Sequence, residues 1–333
     1  MKKLLVLALL CLPFLGNSQI VNEKNVKDWG YGENKIKKAP KKIYIKDFFV
    51  NYQVLSSNSE TATNSDLDKA TSMMSVGLVG LETEDFQEIT DAAYKRMVGK
   101  LADAGYEIVD SEEAGKAEMF QDYTKLTGGT PSQAQIIGYI STAPTGYDYY
   151  VKRVTNKGKA KDAFFDVTPK LSKDLGDIPV LEANVSFQFV TIEGSSFAGA
   201  AKMKGNVDFV LAATAIGTSS EGFFGSKIET SATLERVVWK GGAAGLGALS
   251  IIQFSPKSDI SIEGVVEQKK FKEYVSSNSY KPSYANIVIT QDKKIEVSHQ
   301  VKADRDAYKT KSLQALNEYL DQMIQKLIES ANG

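Results

Sequence analysis

Cysteine is nearly absent from this chain of 333 residues, the only one being Cys11. It lies in an apolar run, 4–15, that follows Lys2 and Lys3 and ends in small and polar residues. This order is typical of a cleaved secretory signal peptide, and the run is too short to span ~30 Å of hydrocarbon as a helix. We expect removal of residues 1–19 to leave a cysteine-free mature chain, without disulfides, thiolate nucleophiles or cysteine–zinc sites. The predicted location is periplasmic, outer-membrane-associated or secreted.

Histidine is equally scarce, since His299 is the only one. A Ser-His-Asp triad, a histidine-rich metal site or a histidine general base would have to use it. It lies in an alternating segment, 295–301, and neither G-x-S-x-G nor H-E-x-x-H surrounds it. The pattern indicates a partly buried or edge-strand histidine. Asp66 and Asp68 lack the further oxygen ligands of a calcium loop. We therefore predict no catalytic histidine, no metal and no cofactor.

An excess of positive charge is also lacking. The formal net charge is −1, and it becomes more negative by two when Lys2 and Lys3 are removed. A basic cluster lies within 35–42, and such a run is typically a solvated linker. Nucleic-acid binding normally requires a charge excess or clustered Lys and Arg. The sequence therefore predicts no nucleic-acid partner.

The chain divides into four predicted segments. They are a signal peptide at 1–19, a polar linker or arm at 20–41, a β-α-β-α segment at 42–125, and a mainly antiparallel β segment with a C-terminal helix at 126–331. Whether the last two segments form one domain or two is left open. The predicted fold class is α+β, with a mixed or antiparallel sheet.

Local patterns within 42–125 predict its elements. Residues 42–55 are rich in β-branched and aromatic residues and predict a strand. The polar run 56–69 predicts a loop. An apolar stripe then recurs every three or four residues from Phe86 to Leu101, with Thr83 as a candidate N-cap and Gly105 as a C-terminal cap. A short strand at 106–109 would then lie parallel to the first, and a second helix would begin near 110.

The sequence IYIKDFFV and the helix ending KRMVGKLADAGYEIVDSEEA resemble the opening of the α/β domain in CsgG-like and LpoB-like bacterial envelope proteins. The resemblance covers residues 42–125. It implies an envelope protein, and for the CsgG-like group a subunit of an oligomeric secretion channel. The chain departs from these families in lacking a lipobox, in the polar insertion 56–69, and at Asp110 and Ser111, where they tend to carry Glu-Arg.

Residues 180–266 alternate apolar and polar side chains, as in Ala183, Val185, Phe187 and Phe189, and predict an antiparallel sheet with one buried face. Strand-like runs at 228–239 and 246–254 enclose a glycine-rich tip. An amphipathic helix is predicted at 304–330, with an apolar stripe of Leu313, Leu316, Leu320, Met323, Ile324 and Leu327.

Two groups of residues are candidate binding elements. Aromatic side chains at Tyr147, Tyr149, Tyr150 and Trp239 could stack on a sugar or peptide, although Tyr149 and Tyr150 point to opposite sides of any strand. The glycines Gly241, Gly242, Gly245 and Gly247 form no phosphate loop, because no Lys-Ser/Thr follows them. They predict a flexible hairpin turn, or alternatively the tip of a membrane-inserting hairpin.

Three functions remain open on the sequence alone. The leading hypothesis is a non-enzymatic, exported envelope protein that acts as a binding or assembly component, with a glycan or envelope protein as partner. The second is a carboxylate-dependent glycan hydrolase, because acidic residues cluster at 82–88 and 110–113, although helix-start placement explains these acids as well. The third is an oligomeric pore or secretion-channel subunit. Membrane association and oligomeric state are left open.

Overall fold

The computed structural model describes residues 19–63, 69–197, 199–219, 227–242, 247–276, 285–290 and 293–333. Apart from Gln19, the expected signal peptide lies outside these residues. The helices are α1 Thr83–Asp103, α2 Ser111–Ala114, α3 Thr168–Asp174 and α4 Arg305–Asn332, with 3-10 turns at Glu33–Lys38 and Glu118–Phe120. The strands are β1 Val26–Tyr31, β2 Lys42–Gln53, β3 Leu55–Thr63, β4 Lys69–Val79, β5 Glu107–Ile108, β6 Thr124–Thr127, β7 Tyr139–Thr142, β8 Asp148–Val151, β9 Arg153–Val154, β10 Ala160–Lys161, β11 Val180–Phe197, β12 Ala200–Ala212, β13 Thr214–Ser219, β14 Lys227–Ala232, β15 Leu234–Gly241, β16 Ala248–Pro256, β17 Ile260–Ser261, β18 Lys270–Val275, β19 Ala285–Thr290, β20 Lys293–Val297 and β21 His299–Lys302.

The long strand β11 organises the main sheet. Its first half pairs antiparallel with β15 and parallel with β2, and its second half pairs antiparallel with β12. The sheet continues from β15 through β16 to β1. Beside it, β3, β4 and β21 form a smaller sheet. The fold is therefore mixed α and β with mainly antiparallel pairing and a C-terminal helix, as predicted.

One face of the main sheet is covered by α1 and α4, which pack against each other. The predicted stripe of α1 is buried from Phe86 to Leu101, and that of α4 is buried from Leu316 to Leu327, with Leu313 half-buried. The N-cap of α1 is Glu82 rather than Thr83, because Glu82 and Asp85 form a capping box. Gly105 follows the helix at φ 83°, the left-handed conformation that its position predicted.

The predicted crossover is only partly regular. Lys42 and Ile43 of β2 pair parallel with Glu107 and Ile108 of β5. The hairpin β3–β4 lies between β2 and α1, so the order is not strand, helix, strand. The expected second helix is a single turn, α2, capped by Asp110.

Two segments expected to be irregular contain strands. The polar run 56–69 contributes most of β3 and the start of β4, which pair antiparallel from Leu55 to Thr63. Serine and threonine suit such a strand because alternate residues face solvent. Residues 20–41, expected as a linker, supply the edge strand β1, paired with β16, and a 3-10 turn whose Ile36 is buried. The apolar anchors Val21, Val26 and Ile36 explain why this polar segment is ordered.

The second face of the main sheet is also covered, which differs from the expected single buried face. Ala183, Val185, Phe187 and Phe189 lie in the helix-covered core, yet the intervening Ser186 and Gln188 of β11 are buried as well. Because buried polar groups require hydrogen-bond partners, this second face is where a polar site is expected.

Candidate functional site

A hydrogen-bonded row of amides and hydroxyls crosses the second face of the sheet. Asn51 of β2 donates to the side-chain oxygen of Asn184 of β11 at 2.9 Å, and Ser141 of β7 donates to Asn51 at 2.6 Å. Asn184 in turn donates to the Ala232 carbonyl at 2.7 Å and to Ser231 at 3.0 Å. The row fixes the orientation of both amide side chains, so these polar groups are preorganised.

A buried lysine lies next to this row. A β-bulge in β2 places Lys46 as the extra residue, because Ile45 pairs with Leu181 while Asp47 pairs with Glu182. The Lys46 side chain is only 2% exposed, and its Nζ contacts Asp47 at 2.6 Å, Asp162 at 2.7 Å and Glu182 at 2.9 Å. One ammonium group therefore holds three carboxylates together.

A second cation completes the cluster. Arg236 of β15 forms a bidentate pair with Asp166, both contacts at 2.9 Å, and its Nε donates to Glu182. Thr168 at the start of α3 also donates to Glu182 at 2.8 Å. Glu182 thus lies between the two cations, and the segment 162–166 is attached to the sheet at both ends through Asp162 and Asp166.

These contacts drive two neighbouring pKa values apart. Burial raises the pKa of Asp47 to about 6, although Lys46 opposes the shift. Burial would also raise the pKa of Glu182, but Lys46 and Arg236 outweigh it and lower that pKa to about 2. Burial likewise opposes charge on Lys46, yet its three carboxylates hold the Lys46 pKa well above its usual value. Glu182 and Lys46 are therefore charged at neutral pH, while Asp47 titrates at mildly acidic pH.

The amide row lines a cavity of about 490 Å³, together with four members of the charge cluster: Asp47, Asp162, Glu182 and Arg236. The strands β7 and β8 form one wall, and β14 with residues 159–162 forms another. Two half-buried rings, Phe49 and Tyr149, line the cavity and meet edge to face at 5.0 Å. The cavity therefore offers aromatic faces, amides, hydroxyls and charged groups to one ligand of small-molecule size.

Of the four aromatic residues expected to bind a ligand, the structure brings Tyr149 and Tyr150 to this cavity. Tyr150 is buried, stacks on Phe120 and donates its hydroxyl to the Ser111 carbonyl. Tyr147 is buried and donates to the Ile45 carbonyl at 3.0 Å.

Trp239 is buried and does not line the cavity. Its Nε1 donates a hydrogen bond to the Asp177 carbonyl at 2.7 Å. Tyr149 is thus the half-buried member of the group that lines the cavity.

The glycine-rich tip joins β15 to β16. Gly245 lies outside the described residues. A Cβ on Gly241 would come within 2.3 Å of the Pro169 carbonyl, so this glycine permits α3 to pack closely on β15. Gly242 donates to the Gly247 carbonyl at 3.2 Å, and Gly247 has φ 64°. The Gly242–Gly247 hydrogen bond lies where β15 and β16 end next to each other.

The strands that carry the tip are part of the main sheet. The predicted run 228–239 divides at Thr233, so that β14 pairs with β13 while β15 lies between β11 and β16. Val237, Val238 and Trp239 are buried. A membrane-inserting hairpin would therefore have to expose side chains that are packed in this structure. Within the described residues, no helix has the length and apolarity needed to cross a membrane.

His299 lies at the start of β21, which pairs with β4. Its ring stacks on Phe271 with centroids 4.1 Å apart, and Nε2 lies 2.9 Å from Glu273. The described part of the chain holds no group of three or more His, Cys, Asp or Glu side chains suited to a metal ion.

Comparison with known proteins places the site in no established group. No protein-family model, curated protein or solved structure matches the chain. The resemblance of residues 42–125 to CsgG-like and LpoB-like proteins therefore stays a resemblance of sequence pattern. The function has to be inferred from the site.

Sequence reasoning missed the amides and the charge cluster. The available signal was the pair Lys46-Asp47, two charged residues inside an otherwise apolar strand. Glu182 and Asn184 gave a second signal, since both lie on the face of β11 opposite to Ala183. The acids that the sequence singled out, near the starts of α1 and α2, do not line the cavity.

Proposed function

We propose that this chain is an exported, non-enzymatic protein of the bacterial cell envelope that binds a glycan in the cavity between β2, β8, β11 and β14. Export is inferred from residues 1–19, and the compartment is the periplasm, the outer-membrane surface or the exterior. The protein needs no cofactor for this role.

The main support for this proposal is the set of side chains that line the cavity. A sugar ring has an apolar face and a rim of hydroxyl groups, so it requires an aromatic surface next to fixed donors and acceptors. Tyr149 and Phe49 supply the aromatic surface, and Asn51, Asn184 and Ser141 supply the oriented polar groups. Lys46 and Arg236 are both paired with carboxylates of the cluster, so neither cation is free to pair with a charged group of the ligand.

Truncating Tyr149 tests the proposal. We expect Tyr149→Ala to weaken binding roughly tenfold, because a lost ring contact is worth about 1 kcal/mol or slightly more. Tyr149→Phe keeps the ring and should bind within a factor of about three of the parent. An oligosaccharide array with the purified protein would select the ligand, and titration calorimetry would give the affinities.

Phe164→Ala is the matched control, because it also removes an aromatic ring but Phe164 is exposed and does not line the cavity. It should leave glycan affinity unchanged. If no array glycan binds at millimolar concentration, or if Tyr149→Ala binds as tightly as the parent, the glycan-binding proposal is wrong.

A second candidate function is a carboxylate-dependent glycan hydrolase. The observation that favours it is the separation of the pKa values of Asp47 and Glu182, since a protonated acid beside an ionised carboxylate is the pairing that glycoside hydrolysis requires. It ranks second because Glu182 is engaged by two cations and Thr168.

The hydrolase candidate predicts turnover that depends on Asp47. Asp47→Asn should lower the rate of reducing-end release at least ~100-fold, the usual range for a lost general acid. Because the acid form is active, the parent's rate should fall as the pH rises through about 6. Glycans that bind but release no reducing ends over days would reject this candidate and leave the binding function in place.

The envelope resemblance supports two further inferences. We infer that β2, α1 and β5 act as a β-α-β unit interrupted by the β3–β4 hairpin, supported by the parallel pairing of β2 with β5. An assembly role with an envelope protein partner is compatible with glycan binding. The pore-subunit hypothesis ranks below the glycan-binding and hydrolase functions, because a membrane-inserting hairpin would require β15 and β16 to leave the main sheet.

A further inference from the structure

A groove of about 840 Å³ opens beside the glycan-binding cavity, along the short hairpin β9–β10. Five cationic side chains line it: Arg153, Lys157, Lys159, Lys161 and Lys227. Among the described residues that line it, Glu229 is the only carboxylate. The groove is thus strongly positive in a chain whose net charge is only −1, so the patch does not reflect overall composition.

The single carboxylate is already engaged. Glu229 contacts Lys159 at 3.2 Å and Lys227 at 3.1 Å, and it accepts the Ile137 amide at 3.1 Å. Arg153, Lys157 and Lys161 are exposed and make no ion pair within the residues that the structure describes. These three charges are therefore available to an anionic ligand.

The hairpin itself places like charges together. Arg153 and Lys161 are directly paired across β9 and β10. Like charges opposite each other weaken a two-stranded pairing, and this hairpin has no carboxylate to relieve the repulsion. An anion bound between the two strands would remove that unfavourable term. The pairing is thus a second observation, independent of the groove's shape, that points to a negatively charged ligand.

The groove adjoins the glycan-binding cavity, because Lys159 and Glu229 line both. We propose that the groove binds the acidic groups of a polysaccharide whose neighbouring sugar ring occupies the cavity. This inference rests on the proposed glycan-binding function and adds the substrate class, an acidic glycan. A nucleic acid fits less well, because the described residues that line the groove include no aromatic side chain on which bases would stack.

The test compares a hexameric oligogalacturonate with a neutral cello-oligosaccharide of the same length by titration calorimetry. Replacing Arg153, Lys157 and Lys161 together by alanine should weaken oligogalacturonate binding at least tenfold and reduce its dependence on salt between 50 and 200 mM NaCl, roughly as expected when charge contacts are lost. Binding of the neutral hexamer should be unchanged. The three residues are exposed, so the fold is expected to survive, which circular dichroism would verify.

The matched control removes equal charge elsewhere, by replacing Lys37, Lys38 and Lys41, which are also exposed, with alanine. It should bind oligogalacturonate as the parent does. Equal weakening in both triple variants, or no weakening in the groove variant, would overturn the acidic-glycan inference while leaving the cavity function standing. If Tyr149→Ala loses glycan binding while the groove variant keeps it, the cavity is the only binding site, and this result would also overturn the inference. The inference would also be overturned if a single-stranded oligonucleotide or anionic vesicles bound more tightly than oligogalacturonate and lost this binding in the groove variant.

Discussion

Replacing Lys46 by methionine is expected to lower the free energy of unfolding at pH 7 by about 3–5 kcal/mol, the range observed when one partner of a buried ion pair is removed. The Lys46 ammonium is the shared contact of Asp47, Asp162 and Glu182. Methionine fills a similar volume but leaves the carboxylates to repel one another. Urea unfolding followed by circular dichroism would measure the loss.

The pH dependence of this loss identifies its cause. Lys46 lowers the folded-state pKa values of Asp47 and Glu182, so its removal raises both of them. The folded variant then binds more protons than the folded parent, and its stability relative to the parent rises as the pH falls. The deficit relative to the parent should therefore shrink between pH 7 and about pH 4.

Lys152→Met is the control. Lys152 pairs with Asp122 on the surface, so this substitution should lower the free energy of unfolding only slightly. A deficit that stays constant with pH would contradict the electrostatic explanation.

Helices were the part of the fold that local sequence could predict. The stripes of α1 and α4 recur every three to four residues, and the same residues are buried in the structure. Gly105 takes the left-handed conformation expected after a helix. These features depend on neighbours within one or two turns, so a short window of sequence contains the relevant physics.

The failures arise where long-range pairing decides the outcome. Residues 56–63 carry no apolar period, yet they form β3 because β4 offers a complementary edge. Residues 26–31 form β1 because β16 lies available beside them. In both segments the backbone pairs with a strand, while the polar side chains indicated solvent exposure. Strand propensity depends on such context more than helix propensity does.

The candidate site could not be predicted for the same reason. Asp162 and Glu182 lie 116 and 136 residues from Lys46 in sequence, and only the sheet topology brings them together. The alternation at 147–150 did separate Tyr149 from Tyr150 in orientation. It could not indicate which of the two rings would be buried with its hydroxyl engaged.

A buried acidic side chain, Glu235, lies on the opposite face of β15 from Arg236. Glu235 is fully buried beneath α4, and neither carboxylate oxygen has a hydrogen-bond partner among the described residues. Burial raises the pKa of Glu235 well above its usual value, and the negative charge of Asp321 adds to the shift. The neighbouring cations Arg96 and Lys100 pair with Asp321. Glu235 therefore keeps its proton to a higher pH in the folded state than in the unfolded state.

Glu235→Gln is expected to stabilise the protein above about pH 5, with a gain that grows with pH. The unfolded glutamate loses its proton near pH 4.3 while the folded one keeps it, so parent stability falls by about 1.4 kcal/mol per pH unit over that interval. Glutamine removes this proton linkage without a large change of volume. Urea unfolding of both proteins from pH 4 to pH 8 would measure it, with the exposed Glu23→Gln as control. Parent and variant curves that run parallel across this range would show that Glu235 is ionised in the folded state, and the assignment of a neutral acid beneath α4 would be wrong.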